Sequence, residues 1–252
     1  MAFYFDISKG DKLMSKINLR DISLRAKQWD HPAKGLFKYA ESMKINGQDI
    51  LKLPKKNREH YCISLVSLAL MEDSKLDWWI NIPAKDPPDG LIMTLIKEKD
   101  GFKSHMREIE VVEHINKSSG LFDIIKNKMV EKSYEPNMIL ACLLLTPDFY
   151  DLKKLSEKLL NIKSSLNHIF IVFSGIPLNN EDTTEDQLKT TFTMVQLLPK
   201  YETKTFNYKS YLEDFMKRYN DGQESRLIEN NQIYFGTTNK KHDKFWLMLN
   251  SN

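Results

Sequence analysis

Cysteine is almost absent from this chain of 252 residues: only Cys62 and Cys142 occur, each inside an apolar run. Neither belongs to a CxxC or Cys/His zinc spacing, so both read as small buried hydrophobes in a reducing compartment. Long hydrophobic runs are also missing. The longest, Met138 to Leu145, has eight residues, whereas a membrane-spanning helix needs about twenty. The opening Met1-Ala2-Phe3-Tyr4-Phe5-Asp6 lacks the basic lead of a secretory signal. A cytoplasmic protein without membrane association is therefore expected. Glycine-rich phosphate loops, a GxSxG nucleophile elbow and an HExxH helix are absent too, which removes the motifs of ATPases, α/β-hydrolases and zincins.

What is present describes a globular protein, with 41% hydrophobic and 28% charged residues. At this length about three quarters of the unfolded surface can be buried without disulfides or structural metal. Net charge is only +3, but residues 1 to 60 hold thirteen Lys/Arg against seven Asp/Glu. That basic front is either a face for a polyanion or a solvated, lysine-rich helical surface.

Residues 15 to 46 carry apolar positions at helical spacing, broken at His31-Pro32, and predict two amphipathic helices. The polar, proline-broken stretch Lys52 to Arg58 marks a boundary, giving a basic N-terminal helical segment (1–53) and a core domain with a C-terminal extension (54–252). From Arg58 to Glu72 the apolar residues cover every face, as in a helix surrounded by protein. Strands follow at 77–82, 91–97 and 103–115, then a helix at 121–132, a strand at 138–145, a helix at 150–162 and a strand at 168–174. A further strand is expected at 191–198 and a helix at 208–219. The fold class is α/β, with a mixed central sheet flanked by helices. Parallel pairing is expected wherever strand, helix and strand succeed one another.

Acidic residues cluster on the predicted hairpin. Asp89 opens its first strand, and Glu108, Glu110 and Val112 share one face of its second, because side chains alternate along a strand. If Asp100-Gly101 is the two-residue turn, Lys99 pairs with Phe102 and Asp89 falls opposite Val112, with Glu110 diagonal to it. Diagonal neighbours lie about 7 to 8 Å apart, within reach of one shared cation. Hard oxygen ligands suit Mg²⁺ or Mn²⁺. A bulge would shift this register, so Asp89 and Glu110 form the pair and Glu108 joins conditionally. The plain alternative is a turn sequence followed by a solvated polar face. His105 and His114 flank the acids but point to opposite faces. The Tyr/Phe/Lys mixture from Lys200 to Tyr219 suits either base stacking or an amphipathic helix.

The order αβββαβ over residues 58 to 175, with Pro88-Asp89 before the second strand and Glu108-Ile109-Glu110 on the third, resembles the PD-(D/E)xK, or restriction endonuclease-like, nuclease superfamily. The resemblance implies that Asp89, Glu108 and Glu110 are both catalytic and metal-binding, with Mg²⁺ or Mn²⁺ as cofactor. It implies a DNA endonuclease, a hydrolase acting on double-stranded DNA, with the basic N-terminal segment gripping the phosphate backbone. The chain departs from the motif at its lysine. Glu108 and Glu110 could fill the E and K positions, as in a Glu-x-Glu variant, or Glu110 and Val112 could, leaving a migrated base or a dead site. Lys97, Lys103, Lys126 and Lys128 are candidate substitutes, and Glu59 or Glu72 a candidate acid on the first core helix. The alternative function is a catalytically inactive nuclease-fold module that binds nucleic acid or a protein. A second copy of the chain remains open as a partner.

Overall fold

A computed structural model describes residues 28–33, 35–36, 38–39, 42, 50–83, 88–98, 101–115, 120–131, 134, 138–145, 150–174, 191–207, 213, 225–229, 232–236 and 245–248. Three helices pack against one mixed open sheet, an α/β architecture. In chain order the elements are β1 (Gln28–Asp30), α1 (Lys55–Ser74), β2 (Trp78–Asn81), β3 (Gly90–Glu98), β4 (Gly101–His114), α2 (Leu121–Glu131), β5 (Ile139–Leu144), α3 (Leu152–Leu159), β6 (His168–Ser174), β7 (Thr191–Leu198) and β8 (Glu202–Asn207). These eight strands lie in sequence order across the sheet. β9 (Ser225–Glu229), β10 (Gln232–Gly236) and β11 (Phe245–Met248) continue it beyond β1.

From α1 to β5 the element order is the αβββαβ read in the sequence. β2, β3 and β4 form an antiparallel meander, and β4, β5 and β6 run parallel. Helical crossovers supply those parallel connections, as chain geometry requires. β5 and β6 are apolar on both faces because helices cover both. Alternation sorts their side chains into two cores. Ala141, Leu143, Phe170 and Val172 meet α1, while Leu140, Cys142, Ile169 and Ile171 meet α2 and α3.

α1 is buried along nearly its whole length, from Arg58 to Leu70. Ser67 Oγ donates to the Trp78 carbonyl at 3.1 Å, and Trp78 Nε1 donates to Ser74 Oγ at 3.0 Å, which ties the helix to β2. Gly90 lets the same helix approach β3. A Cβ there would run into Cδ1 of Ile63 and stand 3.1 Å from its Cγ1. Gly90→Val should therefore cost about 1–3 kcal/mol by overpacking. The urea midpoint would show this, and adding Ile63→Ala should recover part of the loss.

Three parts of the sequence reading need correction. Gln28–Asp30, within the stretch read as helical, is a short strand between β9 and β2. The hairpin register is displaced by two residues: Lys97 pairs with Phe102 and Glu98 with Gly101, so Gly101 belongs to β4. β8 was not foreseen at all. Most of the two helices expected in 15–46, and the helix at 208–219 apart from Glu213, lie outside the described residues.

Candidate active site

β4 outlasts β3. Its pairing with β3 ends at Gly90 opposite Ile109, whereas its pairing with β5 continues from Ile109 to His114. Beyond Ile109, the side of β4 that faced β3 loses its partner strand. Asp89 fills the first vacant position with its side chain, Oδ2 accepting the Val111 N–H at 2.7 Å. A shift of two residues preserves strand parity, so the corrected register brings the backbone of Asp89 beside Glu110 rather than Val112. Both side chains are less than a tenth exposed.

The acids around this step divide between the two faces. Glu110 points to the α2 side, where Lys128 Nζ donates to its Oε1 at 2.5 Å. Glu113 points to the α1 side, where Arg58 grips it with two parallel bonds, Nε to Oε1 at 2.9 Å and Nη2 to Oε2 at 2.8 Å. Arg58 also donates to the carbonyl of Leu53. Glu59 is buried one turn into α1 and is paired with Lys55 at 2.9 Å and Lys56 at 3.4 Å. The bond to Glu59 raises the Lys55 pKa against the lowering effect of burial, and the charges of Asp89 and Glu113 add to the rise. The same three carboxylates help push the buried Cys62 thiol upward, after burial itself. Glu59, Asp89 and Glu113 thus share one electrostatic neighbourhood.

Of the residues singled out in the sequence, Asp89 and Glu110 are brought to adjacent positions. Glu108 lies two residues earlier on the Glu110 face, opposite Leu91. Glu59, rather than the exposed Glu72 that pairs with Lys75 at 3.0 Å, is the acid of α1 at this end of the sheet. Glu113 was missed, although its parity with Ile109 and Val111 would have placed it. Lys128, one of the candidate lysines, touches a candidate acid, Glu110. His105 and His114 fall on opposite faces, as expected: His105 stacks edge-on with Trp78, and His114 with Tyr150.

A second polar cluster occupies the α1 face farther back along β4. Arg107 Nε donates to His105 Nε2 at 3.2 Å. Burial lowers the Arg107 pKa to about 10. His168, at the start of β6, is pushed down to about 3 by burial, then by the charges of Arg107 and His105. In the ladder Arg107 lies opposite Ile92, and His168 lies two strands beyond Ile109, the partner of Gly90.

Among the described residues, no group of three or more His, Cys, Asp or Glu side chains is disposed to hold a metal ion. Mg²⁺ rarely demands one: it is commonly held by one or two carboxylates, with water and phosphate completing its shell. The donor chemistry of Asp89 and Glu110 suits that pattern. Compared with known proteins, the chain matches no family model and no curated sequence. No described helix is long and apolar enough to cross a membrane.

Proposed function

We propose that the chain is a metal-dependent nuclease with a restriction endonuclease-like core, hydrolysing phosphodiester bonds of double-stranded DNA. One observation carries the reading: two buried acids, Asp89 and Glu110, occupy adjacent positions at the step where β3 ends and β4 continues, the second of them paired with Lys128, within an αβββαβ order. Asp89 and Glu110 would hold Mg²⁺ or Mn²⁺, with Glu108 as an auxiliary acid. The bound ion would lower the pKa of a water and neutralise charge developing on the scissile phosphate. Asp89 is held by the Val111 N–H, which fixes its carboxylate against the strand. Lys128 pairs with Glu110 and supplies a positive charge on the face of β4 that also carries Val112, the position of the missing motif lysine in one alignment. The basic residues of the first 60 would contact backbone phosphates without reading sequence.

Purified protein with Mg²⁺ or Mn²⁺ should nick or linearise plasmid. Asp89→Asn and Glu110→Gln should each abolish cutting, and Lys128→Met should lower it by about 10²-fold or more, the range for a positioned proton-handling or charge-stabilising group. Cutting that survives Asp89→Asn removes this site.

A second reading is favoured by the valine at 112 and by the closed pairs Lys128–Glu110 and Arg58–Glu113: a nuclease-fold module without catalysis that binds nucleic acid or a protein. Calorimetric titration with Mn²⁺ separates the two. Saturable heat that Asp89→Asn removes supports the nuclease; its absence supports the inert module.

A further inference from the structure

α2 and α3 lie side by side on the face of the sheet opposite α1 and share a core with it. Phe122, near the start of α2, is half-buried between them. Two ammonium groups converge on its ring, Lys126 Nζ from the same helix at 5.8 Å from the centroid and Lys158 Nζ from α3 at 5.7 Å. Lys153, Lys154 and Lys163 are exposed around them. Among the described residues, none of these five lysines forms an ion pair with a carboxylate, whereas Lys55 and Lys56 of α1 pair with Glu59 and Lys204 of β8 with Asp73. Two like charges gathered at one aromatic face repel each other, and the exposed acids of the same helices, Asp123, Asp151 and Glu157, are outnumbered by the five lysines and pair with none of them.

We infer that the α2–α3 face, centred on Lys126, Phe122 and Lys158, is a docking surface for the phosphate backbone of nucleic acid. Duplex DNA carries one negative charge per about 1.7 Å of axis, a density that rewards closely spaced ammonium groups through counterion release. The ring supports this use: lysine stems packed on Phe122 lose less freedom when their heads meet phosphate. Lys128, on the opposite side of the same helix from Lys126, contacts Glu110, so α2 is the element that separates this face from the candidate active site. The choice between nucleic acid and an anionic lipid surface turns on Phe122. A membrane-seeking helix presents its aromatic ring for insertion, and here the ring is half-buried and covered by the two ammonium groups. Val130 and Leu160 protrude from the same helices and make lipid the outcome to test against.

This inference deepens the nuclease reading by naming its substrate-holding surface, but its test does not depend on cleavage. Binding of the full-length protein to a labelled duplex is measured by fluorescence anisotropy in EDTA across a salt series. Lys126→Gln/Lys158→Gln should weaken binding and reduce the slope of log K against log salt by about 1.8, two contacts at about 0.9 each. Lys126→Arg/Lys158→Arg should retain the parental slope, because charge is kept. The glutamine variant should melt with the parent, which separates lost charge from lost structure. Identical slopes for parent and glutamine variant overturn the inference, as does no binding by the parent, or binding to phosphatidylserine vesicles without binding to DNA. A reduced slope in a protein that never cuts plasmid upholds the surface and discards the nuclease. Cutting with an unchanged slope does the reverse.

Discussion

Arg58→Met should destabilise the fold by about 3–5 kcal/mol, because it strands the Glu113 carboxylate in a buried site. Only 7% of the Glu113 side chain and 10% of that of Arg58 is exposed. The guanidinium satisfies both carboxylate oxygens and the Leu53 carbonyl, so its removal leaves acceptors without donors in a place water reaches poorly. Glu113→Gln should cost less, since an amide keeps one acceptor for the guanidinium. Arg58→Met/Glu113→Leu should recover much of the loss, because a packed apolar pair carries no desolvation penalty. Denaturant unfolding of the parent, Arg58→Met, Glu113→Leu and Arg58→Met/Glu113→Leu gives the coupling energy directly. Additive single losses would show that the pair is not a unit.

Acid should unfold the protein partly through His168. Its folded pKa of about 3 lies below the ordinary 6.5, so the unfolded chain takes up a proton that the folded one refuses. The stability contributed by the neutral ring is complete above pH 6.5, declines as pH falls from about 6.5 to about 3, and is lost below that. At about 1.4 kcal/mol per pH unit the ceiling is about 5 kcal/mol. Measured urea midpoints should fall across this window, and His168→Phe should flatten the fall. An equally steep decline in the variant would assign it to the carboxylates instead. Arg107 is part of the cause, since its charge lies close enough to the ring to oppose a second cation.

Much of the architecture was legible because the elements concerned are driven by local pattern. β5 and β6 announce themselves as short apolar runs, α1 as a helix apolar on all sides, and α3 as an amphipathic helix capped by Asp151, whose carboxylate accepts the Lys154 N–H at 2.9 Å. β1 was not legible. Gln28-Trp29-Asp30 is too short for any period to show and is held by strands distant in sequence. β8 was obscured for a different reason: Glu202-Thr203-Lys204-Thr205-Phe206 has one large apolar residue and looks like loop until Phe206 is seen stacked on Phe192.

The candidate site divides along the same line. Asp89 and Glu110 could be paired from strand parity alone, and the two-residue error in the turn left that parity intact. The residues that hold them could not. Lys128 is one of two lysines in its helix, and its contact with Glu110 depends on how a helix crosses a sheet. Arg58 and Glu113 are separated by 55 residues. Sequence periodicity assigns a side chain to a face, but charge neutralisation between faces and layers is a product of the assembled fold.

The last strand beside β7 ends the sheet with its backbone groups facing outward. β8 turns Lys204 inward onto Asp73 of α1, so a charge occupies the side where an incoming strand would want a continuous greasy surface. Thr203, Thr205 and Asn207 face solvent on the other side. Such a border is a poor template for additional chains. Ladder growth into fibrils is discouraged at this flank, as is edge-to-edge pairing of two copies.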